Sequence, residues 1–246
     1  MSDKDFQDIK QYANDIVTRS SQRDIMFDEI NDMYWMEDRV TKVGDRDDTD
    51  VKLTISPSAR NEVVGMVRLM TTTSPRFIVE SDTGDPEIVE KTLNNIIKYS
   101  NQITMTKVDV EASRSSILYS DVHMMIESVQ DMMDISGIPD YEKLRLEEIQ
   151  KRTPFLLQVI NPREGYPVFG KTGLRAYLRR YKVRGDDLYD RWGAKDLDYN
   201  TQYTVNDWYG MKYRAVWLEE DEKPLLFAEH GMPTIPIVVR ISAVSY

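Results

Sequence analysis

Through the first half of the chain, apolar residues return every third or fourth position, the spacing that lines one face of a helix. Phe6, Ile9, Ala13, Ile16 and Val17 share such a face, and after a polar break Met26, Ile30, Met33 and Tyr34 share another. Ser2, with Asp5 three residues on, resembles a capping box. Ser56 and Pro57 open a further helix, whose predicted buried face is Ala59, Val63, Met66, Val67 and Met70. Pro75 closes it, because a residue before proline is pushed out of helical geometry, and RFIVES (Arg76 to Ser81) then reads as a short strand. Asp85-Pro86 starts another helix with Val89, Leu93, Ile96 and Ile97 inward. A last one, from Thr104 to Tyr119, carries a weaker stripe.

Beyond residue 120 the texture changes. HMMIESV, FLLQVI, RAYLRRYKV, TQYTVND, KYRAVWLE and LLFAE are short, rich in β-branched and aromatic residues, and set apart by turn residues, which predicts strands. Helices over 1–120 and mainly antiparallel strands over 121–246 give an α+β class. No repeat and no Gly/Ser- or Pro-rich linker divides the chain, so 1–246 is read as one region.

With 246 residues, 41% of them apolar and 30% charged, the chain can bury a full core and is too apolar for disorder. It has no cysteine, which rules out disulfides and thiolate metal sites. The opening Met-Ser-Asp-Lys-Asp is unlike a signal peptide, and no apolar run nears the ~20 residues of a membrane span, so a soluble protein made in a reducing cytoplasm is expected. A net charge of −10 repels a phosphate backbone and argues against tight, non-specific nucleic-acid binding.

Patterns that carry chemistry are few. His123 and His230 stand far apart without cysteine partners, a poor zinc pattern, and structural or surface roles are expected for both. The acids of VGDRDDTDVK (Val43 to Lys52) alternate as in a calcium loop, but its glycine and closing glutamate are misplaced. Gly165 to Thr172 has Walker A spacing, yet Pro167 lacks an N–H, Val168 and Phe169 resist the tight turn, and the segment after it alternates like a strand. No cofactor or metal is assigned. Asp140, Asp221 and Glu222 support one alternative, a metal-dependent hydrolase or nuclease using carboxylates. Another is a protein-interaction module.

That module would use KTGLRAYLRRYKVR, which gathers Lys171, Arg175, Arg179, Arg180, Lys182 and Arg184 around Tyr177 and Tyr181. On a strand, Arg175, Tyr177, Arg179 and Tyr181 share a face. As a cluster these residues suit inter-subunit or anionic-partner contacts, an acidic neighbouring subunit more than nucleic acid. Taken singly, each arginine reads as solvated and paired with a local acid.

The order of segments resembles the N-terminal, wing portion of a tailed-bacteriophage portal protein, the head-to-tail connector ring. The resemblance is diffuse and covers most of the chain. It rests on SPSARNEVVGMVRLMTTTSPRFIVES, then VEKTLNNIIKY and VEASRSSILYSDVHMMIES, then FLLQVINPREGYPVFG, the arginine-bearing strand and DDLYDRWG, and finally VNDWYGMKYRAVWL and LLFAEHGMPTIPIVV. It implies a non-enzymatic subunit of a homo-oligomeric ring of about twelve copies, a heterologous interface that closes on itself. That ring would form the capsid vertex channel for DNA packaging and ejection. The implied partners are capsid protein, head-tail adaptor proteins, the packaging terminase and the double-stranded DNA in the channel, with no membrane. The implied location is the virion, and the host cytoplasm during assembly. The stem, clip and crown of that family have no counterpart in the sequence, which is expected to be truncated or incomplete. Within this frame Pro162, Arg163, Gly165, Tyr166 and Pro167 form a structural corner, with prolines stopping ladder pairing and glycines supplying turn geometry. Arg163 and Tyr166 are expected to dock on neighbouring elements.

Overall fold

The computed structural model describes residues 3–35, 58–72, 85–103, 107–130, 140–192, 194, 197–230 and 234–241. Expectations for Ser2, Val43 to Lys52, Ser56, Pro57, Arg76 to Ser81, Thr104 and the end beyond residue 241 fall outside these residues, as does the side chain of Ala59. The fold is α+β, with two antiparallel sheets.

The larger sheet is ordered β3-β4-β5-β6-β7, from β3 (Gly165–Gly170), β4 (Gly173–Arg184), β5 (Gln202–Gly210), β6 (Tyr213–Leu218) and β7 (Leu226–Glu229). Side chains alternate across a strand, so β4 to β7 each feed two cores. One face presents Tyr166, Ala176, Leu178, Trp208, Ala215 and Trp217 to helix α1 (Asp3–Arg19). Phe6 of α1 meets Trp217 edge-on at 5.8 Å between ring centres, and Ala13 lets the helix lie close. The first predicted stripe is therefore the buried one, because Ile9, Ile16 and Val17 pack there too.

The opposite face is shared. Tyr177 and Tyr209 pack against a smaller sheet ordered β2-β1-β8, from β1 (Asp121–Ser128), β2 (Phe155–Ile160) and β8 (Ile237–Ile241). Met125, Ile160 and Ile237 supply its half of that contact. Farther along, Val205, Val216 and Leu218 are covered by helix α7 (Gly185–Trp192), through Leu188 and Trp192.

The remaining helices stack outside the small sheet. Helix α4 (Pro86–Ile103) and α6 (Asp140–Gln150) enclose Val129 and Leu156 with Tyr99, Ile103, Leu146 and Ile149. Ser100 ties α4 to the edge strand β2: its hydroxyl accepts from the Leu157 N–H at 2.8 Å and donates to the Ile96 carbonyl at 2.6 Å. A sheet edge is thereby capped by a side chain, as an unpaired buried N–H requires. Helix α5 (Val108–Tyr119) ends on Ser120, whose left-handed backbone (φ 59°) turns the chain directly into β1.

Two stripes differ from expectation. On α2 (Ser21–Trp35) the buried residues are Phe27 and Tyr34, two turns apart, while Met26 and Met33 are exposed. On α3 (Ser58–Met70) Val67 is buried, while Met66 and Met70 face outward; Val89 on α4 is also exposed. In α2 Tyr34 of the predicted stripe is buried, but the inward face is turned toward Phe27, which packs on Tyr119 at 4.9 Å between ring centres, and away from the methionines. Helices α6 and α7 also interrupt the strand-rich part. The Leu146 and Ile149 spacing was a legible sign of the first, whereas α7 is too short for periodicity to reveal.

Trp217→Ala is expected to lower the unfolding free energy by about 3–5 kcal/mol, whereas Met66→Ala changes it by less than about 0.5 kcal/mol. Urea denaturation followed by far-ultraviolet circular dichroism measures both.

Candidate functional site

The most densely connected polar node gathers around Arg23, which α2 carries across to the corner between β2 and β3. Arg23 Nη1 donates to the Gly165 carbonyl at 2.8 Å, while Nε and Nη2 donate to Asp24 Oδ1 at 3.1 and 2.8 Å. Its guanidinium carbon lies 4.5 Å from the centre of the Tyr166 ring and 5.3 Å from that of Phe27. A planar cation suits this slot, because its fork is filled while its faces rest on aromatic surface. The Tyr166 hydroxyl donates to Asp24 Oδ2 at 3.0 Å. Burial, with Asp24 second, pushes the Tyr166 pKa up to about 12. Arg163 forms an ion pair with Asp28, farther along α2.

The corner itself is a short 3-10 turn, Pro162–Glu164, capped by the Asn161 side chain accepting from the Arg163 N–H at 3.1 Å. Pro162 sits where a missing N–H costs nothing. Pro167 does not stop pairing: it lies within β3 opposite Tyr177, and β3 tolerates it as an edge strand. Gly165 does not supply a turn either, since its φ of −105° is ordinary extended backbone. Its requirement is space. A Cβ there would stand 2.0 Å from Tyr177 Oη and 2.3 Å from His123 Nδ1. The positive φ belongs to Gly173 (118°), in the turn between β3 and β4. The segment with Walker A spacing is this hairpin, leading into a strand and not a helix.

Beneath Gly165 lies His123 of β1, which is wholly buried. Its Nδ1 shares a hydrogen bond with the Tyr177 hydroxyl at 2.9 Å, and the rings meet edge-on. Its Nε2 has no partner among the described residues. Burial first, and Arg23 second, hold its pKa down at about 4, so the imidazole is neutral at neutral pH. Burial likewise drives the Tyr177 pKa far upward. Asp121, two residues before His123, is buried too; burial raises its pKa and Arg23 opposes the rise. His230 has a different setting, with Nε2 donating to the Gly210 carbonyl at 2.8 Å.

The basic strand is divided by its surroundings. Tyr177 is fully buried between the sheets, a correction to its place on a partner-facing surface. Arg179 is largely buried, pairs with Glu164 at 3.0 Å and stacks 4.4 Å from the Tyr181 ring centre. Burial works most strongly against the Arg179 cation, but Glu164, Tyr181 and Asp207 together outweigh it and the pKa is raised. Arg180 pairs with Glu219, and Arg184 with Asp186 at 3.2 Å. Arg175, Lys182 and Arg184 are exposed. Singly paired arginines are therefore the dominant pattern.

Sequence reasoning missed the cluster next to this strand. Asp207, only 4% exposed, accepts from Arg214 Nε at 3.2 Å and Nη2 at 2.9 Å, and from the Tyr209 hydroxyl at 3.0 Å. Arg214 also lies 4.8 Å from the Tyr209 ring centre and 5.8 Å from that of Trp192. Burial disfavours its charge, yet Asp207 and Tyr209 more than compensate and raise its pKa. An acid in an apolar-aromatic strand, with an arginine one hairpin later, is the only sequence trace of this pair.

The residues of the hydrolase alternative belong to separate elements. Asp221 and Glu222 sit in the exposed turn between β6 and β7, whose backbone carbonyls accept from Lys10 (2.7 Å) and Gln7 (3.4 Å) of α1, whereas Asp140 opens α6. Among the described residues no three His, Asp or Glu side chains approach as metal ligands would. Compared with known proteins, the chain matches no family profile, and no curated protein matches it either.

Gly165→Ala is expected to cost about 2–3 kcal/mol of stability, because neither the Tyr177 nor the His123 ring can retreat from a packed seam. Asp207→Ala, which leaves a half-buried guanidinium unpaired, should cost about 3 kcal/mol, against less than about 1 kcal/mol for Arg180→Ala on the surface. Chemical denaturation at two salt concentrations separates the last pair, since only the surface contact is screened.

Proposed function

We propose that this chain is a structural, non-enzymatic subunit of a self-assembling ring of the tailed-phage portal type, forming a channel for DNA and an attachment point at the capsid vertex. The observation that carries the reading is the outer surface of the helical layer. Adjacent helices α2 and α3 leave Met26, Met33, Met66, Leu69 and Met70 exposed, with Leu69 at 80%. Large apolar side chains grouped on neighbouring helices usually meet another protein surface. Support also comes from the succession of helices and antiparallel strands, in the order that the portal resemblance implies. The arginines of β4 mostly satisfy local acids, so little free positive charge remains to hold a phosphate backbone. With a net charge of −10, the subunit suits a conduit past which DNA slides.

Native mass spectrometry with negative-stain imaging of the purified chain tests this. Closed rings of about twelve subunits with a central hole are expected, and Leu69→Glu with Met70→Lys should shift the population toward monomers. A monodisperse monomer at every concentration would overturn the reading and favour a plain interaction module.

A further inference from the structure

We infer that His123 is a proton-operated latch: its neutral ring lets β1 and α2 close on the five-stranded sheet at Gly165, and its protonation releases that seam. The inference is independent of ring assembly. It begins from space and partners. The imidazole is wholly buried, Gly165 leaves no room for even a methyl group beside it, and the ring has one partner, the Tyr177 hydroxyl. Nε2 meets no described polar group, so a second proton on the ring would place a cation with an unsatisfied donor in an apolar contact.

The charged and titratable neighbours come from each element packed on the seam. From α2 there are Arg23 and Asp24; from the 3-10 turn and β3, Glu164 and Tyr166; from β4, Tyr177 and Arg179; and from β1 itself, Asp121. None is placed to welcome an imidazolium. The Asp24 oxygens already accept from Arg23 and Tyr166, and Glu164 is held by Arg179. Arg23 is the neighbouring charge that acts on the ring, and it repels a second cation. Asp121 is the remaining carboxyl, but burial raises its pKa and disfavours the charged form that would pair with an imidazolium. Acidification thus adds a positive charge that no neighbour balances.

The direction follows from linkage. The closed seam holds His123 at a pKa of about 4, against the ordinary 6.5. The closed state therefore has its full advantage above pH 6.5, loses it progressively as pH falls, and has lost it by pH 4. Between pH 7 and pH 5 the seam's opening equilibrium rises about 20-fold.

Hydrogen exchange with mass-spectrometric readout, on the whole chain at pH 7 and pH 5 and corrected for intrinsic exchange rates, tests the latch. Segments of α2, β1 and β3 are expected to lose about 20-fold in protection, while β5 and β6, anchored by Ala215 and Trp217, keep theirs. In His123→Asn, which preserves polarity without titrating, the local loss should disappear. Unchanged protection of the seam, a uniform loss across the chain, or an undiminished loss in His123→Asn would each overturn the proposal. If that variant fails to fold, the wild-type chain still decides: it has two histidines, and an imidazole resonance of His123 that titrates near 6.5 by nuclear magnetic resonance rules the latch out.

Discussion

One buried guanidinium joins the parts of this fold that the chain makes separately. Arg23 belongs to the N-terminal helices, yet its hydrogen bonds reach the backbone of β3 and its faces contact Tyr166 and Phe27. A cation taken out of water must find partners there, and only the assembled corner supplies a carbonyl, a carboxylate and two aromatic faces at once. That corner ties α2 to the strands. Around it lie Phe27 packed on Tyr119, Arg163 paired with Asp28, and Gly165 close against His123 and Tyr177.

The same logic recurs across the inner face of the large sheet. Apolar clusters bury Tyr177 and Tyr209 at one end and Val205, Val216 and Leu218 at the other. Between them lie the Arg179–Glu164 and Arg214–Asp207 pairs, each with an aromatic ring under its guanidinium. Apolar area provides most of the cohesion but little directionality. The bidentate pair fixes which side chains face each other across the strands, because breaking it strands a charge. Polar residues here specify register and orientation more than they add stability.

That division bears on function. The buried arginine–carboxylate contacts are paired, Arg179 with Glu164 and Arg214 with Asp207, while α2 and α3 expose Met26, Met33, Met66, Leu69 and Met70. The exposed methionines and leucine of α2 and α3 are what the proposal of assembly through the helical layer rests on. Methionine suits such a surface because its flexible thioether adapts to a partner at small entropic cost.

The sequence alone determined the α+β class, the first helix with its inward stripe of Phe6, Ala13 and their neighbours, and most strands, including β2 over FLLQVI. These follow from local periodicity and β-branched or aromatic content, which act over a few residues. It also marked the corner at Pro162 and Arg163, since proline and asparagine bias the backbone wherever they occur. Only the tertiary structure decided which face of α2 turned inward, that Tyr177 is core and not surface, and that Gly165 is needed for clearance and not for a turn. It alone paired Asp207 with Arg214 and set His123 beside Arg23. Each of these depends on atoms distant in sequence arriving at one point, where burial changes what a charge costs and a missing Cβ decides whether two elements can touch; a linear pattern holds no distances between them.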